Sequence, residues 1–229
     1  MDEAITQVYP KARVIMYAND VLVLHEDRKV LEHCQQLLMA WLTDIGLTLN
    51  EAKSHIYHTL EGDQPGFDWL GFNIRQYRVG KHQSGKLSNG KRRGFRTLIK
   101  PAKTNMAAHL AELGRIIGQG KVLSQGALVH QLNPKIRSWA NYYRTSVSQA
   151  AFDRLDFLTW EKLRRWAHRR HPRRSAGWVW KRYWHQLGTR VAFATSATDP
   201  DTVHLRTHSE MPITRHVKVR GNRSPYDGD

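Results

Sequence analysis

Residues 14–26, VIMYANDVLVLHE, set a polar tetrapeptide, Tyr17-Ala18-Asn19-Asp20, between two apolar runs. Two such runs around a short polar tip predict a β-hairpin. A carboxylate presented there, Asp20, has the chemistry to bind a divalent cation. The residue before it is an amide, however, so Asn19 brings an oxygen without a charge. Mg²⁺ takes about six oxygens at short distance, usually from carboxylates, waters and phosphates. An Asn-Asp pair is equally an ordinary hairpin tip.

The second chemistry is cationic. Between residues 151 and 185 ten Lys/Arg stand against three Asp/Glu, interleaved with Trp160, Trp166, Trp178, Trp180, Tyr183 and Trp184. Arg164, Arg165, Arg169, Arg170, Arg173 and Arg174 carry planar forks that match phosphate geometry. Lys162, His171 and Lys181 belong to the same run. Lys135, Arg137 and Arg144 form a second patch. Lys86, Lys91, Arg92, Arg93 and Arg96 form a third. Structured RNA offers closely spaced phosphates, 2′-hydroxyls and splayed bases to such a surface. Affinity for it should fall steeply with salt. The bland alternative is that Trp139, Tyr143, Leu163 and Trp166, at helical spacing, are core, and that the arginines are a solvated face. His171, next to Pro172, also reads as a structural hydrogen-bonder at a helix break.

The charge balance favours the functional side. The formal net charge of the 229 residues is +16, and residues 1–70 carry −6 while residues 71–229 carry +22. A single-sign field of that size calls for a polyanionic partner, nucleic acid first and an anionic membrane surface second. The single Cys34 rules out an internal disulfide and a cysteine zinc site. No apolar run approaches the ~18–20 residues of a spanning helix, and the acidic opening MDEAITQ lacks a signal-peptide pattern. The expectation is a cytoplasmic, basic protein without a membrane partner. His204 and His208 are four apart, but with no helical apolar pattern between them and no HExxH they are set aside as incidental.

The elements that position these groups follow from periodicity. Leu31, Cys34, Leu38, Trp41 and Ile45 recur at helical spacing, with Gly46 as the stop. A turn at Asn50-Glu51 and a strand over residues 54–59 follow. Phe67, Trp69 and Phe72, set around glycines, predict a further hairpin. Residues 80–100 read as a basic loop. Met106, Leu110, Leu113 and Ile117 form one helix face, with Thr104 as a cap. Ser124 starts a short helix to about Gln131, and Asn133-Pro134 starts the next, with Ile136, Tyr143 and Val147 on its buried side. Phe152, Leu155, Thr159, Leu163 and Trp166 mark another, and residues 175–185 a last short one. From residue 188 the chain reads as extended, with a basic end at 214–223.

In that order the motifs resemble the reverse transcriptase/maturase proteins encoded by group II introns. Tyr17-Ala18-Asn19-Asp20 stands where that family has the Tyr-Ala-Asp-Asp palm hairpin. GLTLNEAKS (46–54) and GFDWLGFNIR (66–75) are similar to the following palm blocks. LNPKIRSWANYYR (132–144), RRWAHRRHPRRS (164–175) and WVWKRYW (178–184) resemble the maturase domain, domain X. RHVKVRGNRSPYDGD (215–229) is similar to the approach to an HNH endonuclease.

The resemblance implies an α+β chain: a partial palm of β-hairpins plus a helix at 1–79, a basic loop at 80–100, a helical thumb/maturase bundle at 101–187 and an extended tail at 188–229. The family's fingers and early palm would precede residue 1, and an HNH module would follow residue 229. The implied partner is structured group II intron RNA, with a DNA target and an N-terminal reverse-transcriptase fragment in trans as further ones. The implied cofactor is Mg²⁺, in a two-cation site. Here one carboxylate of that site is Asn19, and losing a unit charge at ligand distance costs on the order of several kcal/mol at an effective dielectric near ~20. Tight metal binding and polymerisation by this chain alone are therefore not expected, and RNA binding that assists intron folding and splicing is. The competing expectations are a reverse transcriptase completed by another chain, and a decayed mobile-element product.

Overall fold

The computed structural model describes residues 2–80, 82–86 and 90–214. The chain forms two compact units, residues 1–65 and 66–229. Helices and small antiparallel sheets coexist, so the fold class is α+β.

The first unit runs α1 (Asp2–Val8), β1 (Arg13–Tyr17), β2 (Asp20–Leu24) and α2 (Arg28–Asp44). The hairpin closes with Tyr17 opposite Asp20, which leaves Ala18 and Asn19 as a two-residue turn. Ala18 lies at φ +51°, the left-handed geometry that such turns need. Val14, Val21 and Val23 pack on a small core of Ile5, Ala12, Cys34 and Leu38. α2 begins at Asp27, whose carboxylate accepts from the Lys29 N–H at 2.9 Å. It ends where Gly46 (φ +76°) lets Leu47 N–H donate to Leu42 O at 2.8 Å and Gly46 N–H to Thr43 O at 3.0 Å. The strand expected at 54–59 is absent. A 3₁₀ turn, Glu51–Lys53, comes first, and the N–H groups of Leu60 and Glu61 then donate to His58 Nδ1, closing a turn instead of a ladder.

The second unit opens with a meander, β3 (Phe67–Trp69), β4 (Phe72–Arg78) and β5 (Phe95–Pro101). The basic loop expected through residue 100 thus ends earlier, since residues 95–101 pair along the whole of β4. Leu70 (φ +48°) and Gly71 (φ +77°) make the β3–β4 turn. Side chains hold that turn: Tyr142 Oη donates to Leu70 O at 2.9 Å and Tyr143 Oη to Gly71 O at 3.1 Å.

Four helices follow: α3 (Lys103–Gln119), α4 (Gln125–Tyr143), α5 (Gln149–Arg170) and α6 (Ala176–Tyr183). α3 is capped by Ala102 rather than Thr104, while Ser124 and Ser175 cap α4 and α6 through their hydroxyls. α4 does not restart at Asn133. It passes straight through Pro134, and the Asn133 amide is engaged elsewhere: it donates to His204 O and accepts from Arg206 N–H, both at 2.9 Å. Leu113, Leu128, Leu132, Ile136, Leu163 and Trp166 form the main core. Val147 falls beyond α4 and is exposed.

Past Gly188 regular structure is sparse, as the sequence pattern suggests, yet the segment is packed. β6 (Trp184–Leu187) pairs with β7 (Arg190–Phe193), Leu205 joins the core, and Thr214 is bonded to Arg144. Most of the basic end, residues 215–229, lies outside the described residues. No described helix is long and apolar enough to cross a membrane.

Candidate nucleic-acid interface

At the hairpin tip, Asp20 is the first residue of β2 and is exposed, and Tyr17 across from it is 61% exposed. Among the described residues no three His, Cys, Asp or Glu side chains converge on a point where a cation could sit. The tip supplies one carboxylate, one amide and one phenol.

The α5 cations behave differently, because the helix sorts them. Lys162, Arg165 and Arg169 recur at three- and four-residue spacing and so share a stripe, with Arg170 four residues past Trp166 beside it. Together with Lys121 at the end of α3 they line an open groove of about 370 Å³ between α3 and α5. Its floor is Gly114, Ile117, Gly118 and Trp166, and no carboxylate lines it. Burying α5 along Leu155, Thr159, Leu163 and Trp166 is what turns the stripe outward.

The cations of the groove are not equivalent. Arg170 Nη1 donates to Lys121 O at 2.9 Å and Leu123 O at 2.7 Å, and its guanidinium lies over the Trp166 ring at 4.7 Å. Trp166 Nε1 donates in turn to Gly120 O at 2.9 Å. Arg170 therefore ties down the α3–α4 connection and forms one wall. Arg165 sits 3.8 Å from Glu161. Lys121, Lys162 and Arg169 have no acidic partner among the described residues.

The remaining predicted contacts are dispersed. Arg164 lies over Trp160 at 5.4 Å, on another flank of α5. Arg173 and Arg174 are exposed at the α5–α6 corner, with Arg174 over Trp178 at 5.1 Å, and Lys181 is exposed on α6. His171 has the structural role that its place before Pro172 allowed: its Nε2 meets Tyr183 Oη at 2.9 Å. Arg144 is a clamp, donating to Thr214 Oγ1 from Nε at 3.0 Å and from Nη2 at 2.8 Å. Lys135 lies 3.5 Å from Glu112. That carboxyl is lowered to about 2, first by the hydrogen bond from Arg115, with Lys135 adding to it. Arg137 is exposed on α4. In the β4–β5 connection Lys91 and Arg93 are exposed, while Arg92 Nη1 donates to Ser84 O at 3.3 Å.

Sequence reasoning missed Lys121 and the groove floor, although Gly114 and Gly118 at helical spacing were the visible signal. It set His208 aside as a metal ligand and did not find its structural role. His208 is fully buried. Its Nδ1 donates to Asp156 Oδ1 at 2.6 Å, and its Nε2 shares a hydrogen bond with His109 Nε2, 2.9 Å away. Asp156 also accepts from the His208 and Ser209 N–H groups and from Ser209 Oγ. Burial alone would raise the Asp156 carboxyl, but those hydrogen bonds outweigh it and hold it below the usual range. His109 is lowered to about 4, by burial first and by His208 second. This chain joins α3, α5 and the 3₁₀ turn His208–Glu210, and so pins the late segment to the bundle.

Comparison with known families agrees with both halves. Residues 1–74 match the family model for reverse transcriptase (RNA-dependent DNA polymerase), and residues 106–184 match the model for the group II intron, maturase-specific domain. The second match contains α4, α5 and α6 and every lining residue of the groove. No curated protein matches the chain. The chain belongs to the group II intron-encoded reverse transcriptase/maturase family.

Proposed function

We propose that the chain is a maturase-type protein that grips folded group II intron RNA through the α3–α5 groove and assists splicing by stabilising the RNA's active fold. The observation that carries this reading is the groove itself: a row of cations on α5 facing Lys121 in the turn after α3, no lining acid, and a glycine-containing floor that a sugar–phosphate backbone can approach. Four cations (Lys121, Lys162, Arg165, Arg169) have donors to offer phosphates. Neutralising that many phosphates gives a log–log salt slope of about −3 to −4 from the groove alone. In this reading the RNA performs the transesterifications. The protein supplies charge screening and shape.

Mg²⁺ chemistry at the hairpin is not part of the proposal. A two-cation centre needs carboxylates that clamp both ions, and Asp20 is one acid beside the Asn19 amide. The donor set does not fit, and we assign no step to a metal there. A second reading, a reverse transcriptase completed in trans, is favoured by one observation: Ile15, Met16 and Tyr17 of β1 are exposed on a two-stranded sheet, which leaves strand edges open for pairing.

Equilibrium binding of the full chain to a group II intron RNA and to an equal-length control, across a salt series, tests the proposal. Tighter binding to the intron at every salt supports it. Equal affinities would reduce the protein to a generic polycation.

A further inference from the structure

On an adjoining flank of α5, beside the cationic groove, lies a cleft of about 110 Å³. Trp160, Trp180 and Trp184 contribute rings to it, with the buried Leu163 and Phe193 beneath and the exposed Val191 at its edge. Trp180 is 42% exposed and stacks on the buried Trp184, the ring centroids 5.1 Å apart and the planes within 5°. Trp184 thus backs Trp180, and an exposed aromatic face is held rigid.

Two features separate this cleft from an ordinary packing crevice. Thr159 lines it and is 2% exposed, yet its Oγ1 has no hydrogen-bond partner among the described residues. A buried hydroxyl left unpaired is costly, and a helical threonine ordinarily relieves that by bonding the preceding turn. Here that donor and acceptor remain available to a guest. The second feature is charge around an apolar slot. Arg206 lines the cleft and Arg164 covers the Trp160 ring, while Arg190, which also lines it, is paired with Glu210. Arg206 has no ion-pair partner among the described residues. Asp156 also lines the cleft, but both its oxygens are occupied by His208 and Ser209.

An aromatic-walled slot with one unpaired hydroxyl inside and guanidinium groups around it fits a flat polar ring that carries an anion. An enclosed cavity of about 150 Å³ takes up a whole benzene; this cleft, smaller at about 110 Å³ but open, would admit a six-membered ring edge first without enclosing it. We propose that the Trp160–Trp180 cleft captures one unstacked nucleobase of the bound RNA, with Thr159 Oγ1 bonding the base edge and Arg206 its phosphate. This rests on the RNA-binding reading and adds what that reading lacks, a preference for RNA that presents an unpaired base.

The test uses the full chain and two RNA hairpins that differ by a single bulged nucleotide, with 2-aminopurine at the bulge. Binding of the bulged hairpin about tenfold tighter, with a change in the probe's fluorescence on binding, is the expected result. Trp180→Ala should bring the preference to twofold or less while leaving affinity for the paired hairpin unchanged. Thr159→Val is the variant that keeps the fold. It removes the unpaired hydroxyl, so the free protein should melt no lower than the parent, while the preference for the bulge falls several-fold. Lys162→Ala should weaken both hairpins equally. Equal binding of the two hairpins by the parent overturns the base site alone, as does a preference that survives both cleft variants. Failure to bind either hairpin overturns the RNA reading together with it.

Discussion

A Cβ built on Gly114 would stand 3.1 Å from Lys162 Nζ, so the ammonium of α5 lies directly over the glycine of α3. The absence of a side chain there keeps the groove floor low and lets the cation sit inside it. Gly114→Leu should therefore separate stability from function. Replacing a mid-helix glycine with leucine favours the helix by up to ~0.8 kcal/mol, while the new side chain fills the floor and displaces Lys162. Thermal melting should hold or rise, and affinity for intron RNA should drop about tenfold. A parallel loss of both would mean that the variant damages packing instead.

The buried histidine pair predicts a specific acid sensitivity. The His109 imidazole is lowered to about 4 in the fold, from an ordinary 6.5, chiefly by burial. Between those values the unfolded chain takes up a proton that the folded chain does not. Stability contributed by the neutral ring is thus complete above pH 6.5 and declines as pH falls toward 4, by roughly 2–3 kcal/mol at ~1.4 kcal/mol per unit. Asp156, held low, adds a further loss once pH drops below its ordinary value. Melting temperature measured from pH 7 to pH 4.5 should fall steadily. His109→Gln, which keeps a donor for His208, should flatten that slope; a slope unchanged in the variant would place the acid sensitivity elsewhere.

The tyrosine pair that grips the β3–β4 turn gives a graded prediction. Tyr143→Phe removes one hydrogen bond to Gly71 O and should cost about 1 kcal/mol in denaturant unfolding. Gly71→Ala should cost more, because φ is +77° and the added Cβ would lie 2.8 Å from Tyr143 Oη and 2.9 Å from Asn105 Nδ2. The reverse ranking would mean that the turn does not depend on this contact.

At the hairpin tip, Asn19→Asp restores a second acid to the turn without supplying a third ligand. Primer extension on an RNA template with Mg²⁺ or Mn²⁺ should yield no product from the parent or the variant alone. Processive product from the parent would show that the Asn19 site holds its cations after all.

Much of the fold was legible because single residues encode it. Gly46 stops α2, Ser124 and Ser175 cap their helices, and the spacing of Phe152, Leu155, Thr159, Leu163 and Trp166 marks the buried face of α5. What failed depended on distant partners. Asn133-Pro134 carries a sound helix-start signal, but the Asn133 amide bonds residues some seventy positions away and the helix runs on. His208 looked incidental because its partners, Asp156 and His109, lie on other helices. The site divides in the same way. The sequence showed that α5 is basic, but not that Arg170 is engaged with carbonyls of the α3–α4 connection or that Arg144 holds Thr214. Only the packing of α3 on α5 sets Lys162, Arg165 and Arg169 beside Lys121.

The central claim is that the groove, rather than diffuse positive charge, grips the RNA. The direct measurement is the salt dependence of intron RNA binding for Lys162→Glu/Arg169→Glu beside a control with the same charge change, Arg173→Glu/Lys181→Glu. The groove pair should lower affinity at moderate salt by at least about a hundredfold and reduce the salt slope by about two, with the control pair lowering affinity several times less. Equal losses in the two double variants would contradict the claim, and leave only net charge to explain the binding.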